Sequence, residues 1–178
     1  VQLRLPHQLS SQEIQKAWDQ FEGGRVVIEE CITLESELSV LVARGTDGKM
    51  VHYDPVENIH RNHILDLSIA PARIAENYQK LACETASEIA NALDYVGILA
   101  VEFFVSSDGR LIVNELAPRP HNSGHHTINA CHCSQFDQQA RSVSGIPLGS
   151  TTLVSPVIMM NLLGDVWKDE LTPPDWSK

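Results

Sequence analysis

The sequence predicts an α+β fold: an antiparallel sheet packed by helices. Three observations carry that expectation. Residues 97–115 read as strand, turn and strand, and residues 38–53 repeat the pattern through the turn Thr46-Asp-Gly48. Between the hairpins, residues 74–93 place apolar side chains at helical spacing. Short turns join antiparallel neighbours, whereas parallel strands need a long crossover.

The elements follow in chain order. Val26-Val-Ile28 is a buried-strand run that ends in Glu29-Glu-Cys-Ile32. Residues 38–44 and 49–53 form the first hairpin. In the helix that follows, Ile74, Tyr78, Leu81, Ala82, Thr85, Ile89 and Leu93 share one face, with Glu76, Lys80, Glu84 and Glu88 largely outside it. Its expected task is to back the sheet. A second helix spans 134–143, with Ser134 as its cap and Gly145-Ile-Pro147 as its stop. Apolar residues 155–163 predict a strand leading out of the domain.

The 97–115 hairpin carries the chemistry. Residues 97–105 are apolar, aromatic and β-branched, Ser106-Ser-Asp-Gly109 reads as a turn, and residues 110–115 resume the strand pattern. If Val105 faces Arg110, Glu102 and Glu115 leave the same face one diagonal step apart, close enough to share a hard divalent cation. An even turn of two or four residues gives this parity, whereas an odd loop or a bulge would send the acids to opposite faces and the metal reading would fail. The competing reading is an exposed edge with two solvated acids.

The run that follows Glu115, residues 116–127, is dense in turn formers, donors and imidazoles, and predicts neither a regular helix nor a central strand. Pro118 and Pro120 stiffen the backbone around Arg119. Its guanidinium suits a planar carboxylate or a phosphate. A merely solvated loop has no need of arginine, three histidines and asparagine beside two acids.

Composition limits the function classes. A chain of 178 residues with 43% hydrophobic content and no membrane-length apolar run predicts a soluble, cored domain. Net charge is −10, and no basic stripe offers a surface to nucleic acid. Four cysteines without a secretory signal fit a reducing, cytoplasmic compartment and free thiols.

These residues carry a family resemblance. Asn114-Glu-Leu-Ala-Pro-Arg-Pro-His-Asn-Ser-Gly-His125, Arg25-Val-Val-Ile-Glu-Glu30, and Ser134-Gln-Phe136 leading into Gly145-Ile-Pro-Leu-Gly149 resemble the ATP-grasp ligases. Within them the chain is most similar to the 5-(carboxyamino)imidazole ribonucleotide synthetases of purine biosynthesis. The resemblance implies an ATP-grasp fold, mainly its C-terminal lobe, with the N-terminal domain and phosphate loop absent. It divides the chain into a partial ATP-grasp domain at 1–157 and the start of a C-terminal β domain at 158–178. A chain so truncated is expected to be inactive alone.

The resemblance also implies a reaction. ATP phosphorylates bicarbonate, and the carboxyphosphate delivers its carbon to the amine of aminoimidazole ribonucleotide, with Mg²⁺ required and Mn²⁺ a possible substitute. Glu102 and Glu115 would hold metal, with Asn114 beside them. Arg119, His121 and Asn122 would line the bicarbonate and acceptor site, His121 as a proton-steering imidazole that titrates near neutrality. Main-chain groups of Glu29, Glu30, Cys31 and Ile32 would read the adenine edge. Glu37, with Glu35 as competitor, would bind the ribose hydroxyls, and His60 would lie near the nucleotide. Full-length members are expected to be homodimers. Two alternatives stand beside this reading: a formate-dependent purine transformylase, which shares a related proline-arginine-proline-histidine segment, or another ATP-grasp carboxylate-amine ligase; and, in a different class, a zinc module built from His121, His125, His126, Cys131, His132 and Cys133.

Overall fold

In the computed structural model, which describes residues 8–164, Trp167, Thr172 and Pro173, helix formation begins at a capping box. Ser10 Oγ accepts from the Glu13 main-chain nitrogen at 3.4 Å, and the Glu13 carboxylate accepts from Ser10 N at 2.9 Å, opening α1 (Ser11–Asp19). This helix belongs to the first of two compact units, Val1–Thr33; the second is Leu34–Lys178.

The strand expected at Val26-Val-Ile28 does not form. Residues 24–33 are irregular, with Val27 84% and Ile28 87% exposed. A β-branched run becomes a buried strand only where a neighbour pairs its backbone and covers a face. Among the described residues of this unit, none forms a strand.

The second unit is built on an antiparallel sheet. Its strands are β1 (Leu34–Arg44), β2 (Met50–His52), β3 (Val56–Arg61), β4 (Ile64–Ala70), β5 (Gly97–Ser106), β6 (Leu111–Ala117) and β7 (Val157–Met160). The order is β6-β5-β1-β3-β4-β7, with β2 on the end of β1. The hairpin expected at 46–48 closes with Arg44 opposite Met50. Strands β3 and β4 were not legible in the sequence. β7 straddles the boundary expected at 157/158 and pairs with β4 as an edge strand instead of leading away from the sheet.

Alternation along β1 and β5 divides the sheet into two buried faces. Leu38, Val40 and Val42 join Leu99, Val101, Phe103 and Val105 on one of them. That face is covered by α2 (Glu76–Ala92) through Ala82, Cys83, Ala86 and Ala90. Of the expected face, Ala82 is buried and Ile74, Tyr78 and Ile89 pack against this core, but the inner stripe is shifted toward Cys83, Ala86 and Ala90, leaving Leu81 46% and Leu93 58% exposed. Small side chains let its backbone approach the bulky sheet residues, so they take the inner position.

The opposite face carries Leu41, Ala43, Ile98, Ala100 and Ala117 and, further along the same rows, the acids. Here α4 (Gln135–Ser144) packs against β5, and Gln139 Oε1 accepts from Ile98 N at 2.7 Å. Its ends are those expected. Ser134 Oγ accepts from Asp137 N at 3.1 Å, and Gly145 closes the helix in the left-handed conformation at φ 68°.

Candidate active site

The two hairpin acids meet by a route other than an even turn. Val105 pairs with Leu111, not Arg110, so the intervening 106–110 loop is odd. An odd loop alone would set Glu102 opposite Asn114 and send Glu115 to the other face. Between Phe103 and Glu102 the partner jumps from Val113 to Glu115, leaving Asn114 unmatched as a bulge. The two parity changes cancel. Glu102 and Glu115 are direct cross-strand partners rather than diagonal neighbours, on the face opposite α2.

The ladder extends this row inward, because Ser39 of β1 pairs with Glu102. The Glu102 side chain is 17% exposed, and its carboxyl is held above the ordinary range by burial and by the negative charges of Glu115 and Glu37, against the pull of His60 and Arg119. These influences place four of the other expected site residues within electrostatic reach of Glu102.

Glu37 and His60 form a pair of their own. His60 Nδ1 lies 2.6 Å from Glu37 Oε2, off the axis of an ideal hydrogen bond. The interaction with Glu37 raises the imidazole above its usual value despite the opposing effect of burial. Glu35, the other ribose candidate, is exposed on β1.

After Ala117 the chain turns sharply, with Arg119 N donating to the Ala117 carbonyl at 2.8 Å. The exposed Arg119 side chain donates from Nη1 to the Pro120 carbonyl at 3.0 Å. A short 3-10 turn, Asn122–Gly124, and a single-turn helix α3, Thr127–Ala130, follow. Asn122 Oδ1 accepts from Ser123 N at 3.0 Å, so its carbonyl is committed to this turn.

His121 sits where loop and sheet meet. Its ring is 12% exposed, with Nε2 3.6 Å from Glu102 Oε1 and Nδ1 2.9 Å from Ser123 Oγ. Burial, then the positive charges of Arg119, His125 and His60, hold its pKa down at about 4. This overturns the expectation of a near-neutral titration: the sequence shows the imidazole but not the burial and the cations that remove its proton. Gln135 fixes the main chain beneath. His121 N donates to its Oε1 at 2.8 Å, and its Nε2 donates to the His121 carbonyl at 2.7 Å. Gly124 is packed so closely that a Cβ would stand 2.4 Å from Leu41 Cδ2 and 2.7 Å from Gln135 Oε1.

Sequence reasoning missed Ser39, Ser123 and Gln135 as parts of this site. Ser39 carried a usable signal, a small hydroxyl inside an otherwise apolar strand run. Gln135 carried another, as the polar neighbour of a helix cap with no solvent-facing reason to be there. The adenine-edge candidates Glu29, Glu30, Cys31 and Ile32 lie in the first unit, in its irregular segment.

The zinc constellation does not assemble. His126 is buried with Nδ1 3.1 Å from the Ser123 carbonyl, His125 stacks on Phe136 and Cys133 lies against Gly149. Among the described residues, no group of three or more His, Cys, Asp and Glu side chains is arranged to hold a metal, and all four cysteines are free.

Comparison with known proteins gives concordant results. A family model described as the ATP-grasp domain matches residues 8–136. An N5-carboxyaminoimidazole ribonucleotide synthase of Bacillus subtilis strain 168 is 47% identical over 153 residues, which cover 86% of this chain and 40% of that protein. A crystal structure of an ADP complex of N5-carboxyaminoimidazole ribonucleotide synthetase superposes with a TM-score of 0.83 at 43% identity, over 88% of this chain and 42% of that one. A third relative is the Aspergillus clavatus N5-carboxyaminoimidazole synthase in complex with ADP and 5-aminoimidazole ribonucleotide. It gives a TM-score of 0.81 at 32% identity, over 87% of this chain and 42% of that one. The chain thus spans less than half the length of these relatives.

Proposed function

The chain belongs to the ATP-grasp domain family, and on that footing we propose that it carries ATP- and metal-handling residues of a carbon-nitrogen ligase. The ligase carboxylates 5-aminoimidazole ribonucleotide with bicarbonate, through carboxyphosphate, in purine biosynthesis. The observation that carries this reading is the direct pairing of Glu102 with Glu115, within electrostatic reach of Arg119 and on the face where His121 stands. Similarity to the synthases described above supports the choice of substrates.

The carboxylate pair fits a magnesium ion, or manganese in its place. The negative charge of Glu115 beside Glu102 helps to hold the Glu102 carboxyl up, and a divalent cation between the two acids would relieve that repulsion. Magnesium is held by one or two carboxylates, substrate phosphates and water, so it needs no third protein ligand. When bound, it neutralises phosphate charge as the terminal phosphoryl group moves.

The chain's own residues then divide the work. Glu102 and Glu115 supply carboxylate oxygens, and Asn114 stands at the bulge between the strands. Arg119, on its proline-flanked turn, binds the planar bicarbonate or the carboxyphosphate anion. His121 and Asn122 orient the bicarbonate and the acceptor amine. Glu37 accepts from the ribose hydroxyls while His60 balances its charge, and main-chain groups at 29–32 read the adenine edge. The full-length enzyme acts in the cytoplasm as a homodimer.

A segment exchange tests the proposal. The matching segment of the Bacillus subtilis synthase is replaced by this chain, and ADP release is measured with and without bicarbonate and aminoimidazole ribonucleotide. Release that needs both substrates is expected, with a loss of about 100-fold or more in the Arg119→Ala chimera. Release that follows formate instead, or full activity after Arg119→Ala, contradicts the assignment.

A further inference from the structure

The hydrogen bonds beneath His121 decide where its ring proton sits. The Ser39 hydroxyl donates to Ser123 Oγ at 2.8 Å, and both serines are fully buried. Ser123 Oγ in turn lies 2.9 Å from His121 Nδ1. Because the Ser123 oxygen already receives the Ser39 proton, its own hydrogen is left to donate, and Nδ1 is the acceptor in reach. The Ser123 main-chain N–H also addresses Nδ1, at 3.4 Å, sharing its hydrogen with Asn122 Oδ1 at 3.0 Å. Two donors thus converge on one ring nitrogen. A hydrogen on Nδ1 would face an N–H and strand a buried hydroxyl without an acceptor.

We infer that the Ser39–Ser123 hydroxyl pair holds His121 in the Nε2–H tautomer, so that its ring presents a fixed hydrogen-bond donor to the carboxylate-lined face of the sheet. Ser39 and Ser123 are positioning residues in this scheme; they act through His121. Gln135 completes the mount by gripping the His121 main chain from both its N–H and its carbonyl. The Nε2 atom stands 3.6 Å from Glu102 Oε1, beyond a hydrogen bond, and this leaves the N–H for an oxyanion. The inference deepens the ligase reading, and rests on it only for the identity of that ligand: the anionic oxygens formed when bicarbonate meets the phosphoryl group. A donor already aimed needs no reorganisation as that charge develops.

Nitrogen-15 NMR of the full chain labelled at histidine reads the tautomer directly, with the His121 signals identified by their loss in His121→Asn. Near neutral pH and without substrate, Nε2 is expected at the shift of a protonated ring nitrogen and Nδ1 at that of an unprotonated one. In Ser123→Ala the two shifts move toward each other as the tautomers mix. Ser39→Ala moves them the same way by less. A protonated Nδ1 in the unsubstituted chain overturns the inference whether or not the variants fold. So does an unchanged ring pattern in a folded Ser123→Ala. Because the spectrum needs no substrate, a wrong tautomer would leave the ligase reading standing, and a silent chimera would leave the tautomer standing.

Discussion

Strand β3 and the loop after β6 each bring an imidazole to bear on Glu102, and they treat it in opposite ways. His60 on the strand meets Glu37 at 2.6 Å and is driven toward its charged form. His121 in the loop meets the Ser123 hydroxyl, and burial with the positive charges around it brings its pKa down to about 4. Burial pushes both downward. The nearest partner therefore decides the outcome: a carboxylate in contact outweighs desolvation, whereas a serine hydroxyl does not. One acidic cluster is thus flanked by a cation-forming histidine and by a neutral donor.

The contrast can be broken hardest on the loop side. Gln135→Leu strands the His121 N–H and removes one of the two donors to the His121 carbonyl, which keeps Gly124 N at 3.0 Å; the unsatisfied donor and the lost second bond together cost about 2–4 kcal/mol in denaturant unfolding. His60 should keep its shift in that variant. If it does not, the two regions are one coupled unit.

Acid titration gives the next effect. The folded pKa of His121, about 4, lies below its usual 6.5, so the unfolded chain takes up this proton first as pH falls. Its contribution to stability is intact above 6.5 and declines toward pH 4 by an amount on the order of 3 kcal/mol. Stability measured at steps across that window should fall less steeply in His121→Asn. Parallel curves would mean that the ring is not desolvated.

Smaller changes sharpen each side separately. Gly124→Ala crowds Leu41 and Gln135 and is expected to cost about 1–3 kcal/mol in thermal or chemical melts. Glu37→Gln removes the main cause of the His60 shift, so the His60 pKa measured by NMR should drop. The pair stabilises the fold below the usual histidine value and loses that effect as pH rises through the folded value. Its partial exposure limits the loss to about 1 kcal/mol, read as a pH-dependent difference from the unsubstituted chain.

Much of this architecture was legible because local chemistry dictates it. Ser134 and Gly145 bound α4 as their side chain and backbone freedom require, and Thr46-Asp-Gly48 closes the first hairpin. The S-x-x-E run at Ser10 is an equally local signal and opens α1. Other features were not local. Whether Val26-Val-Ile28 becomes a strand depends on a partner supplied from elsewhere in space. The identity of the α2 face depends on how close the sheet permits the helix to come. The bulge at Asn114 has no signature of its own, yet it repairs the parity that the odd turn breaks, so the two glutamates share a face for a reason the alternating pattern could not supply. The titration of His121 is not legible in the sequence, because protonation is a property of the folded surroundings.

The pairing of Glu102 with Glu115 as a cation site is tested most directly by adding manganese, with ATP present, to the chain labelled at its glutamate side chains. Paramagnetic broadening should centre on positions 102 and 115 and vanish in Glu115→Gln. Broadening centred on the Cys131-His-Cys133 segment, or none near either acid, would contradict the account.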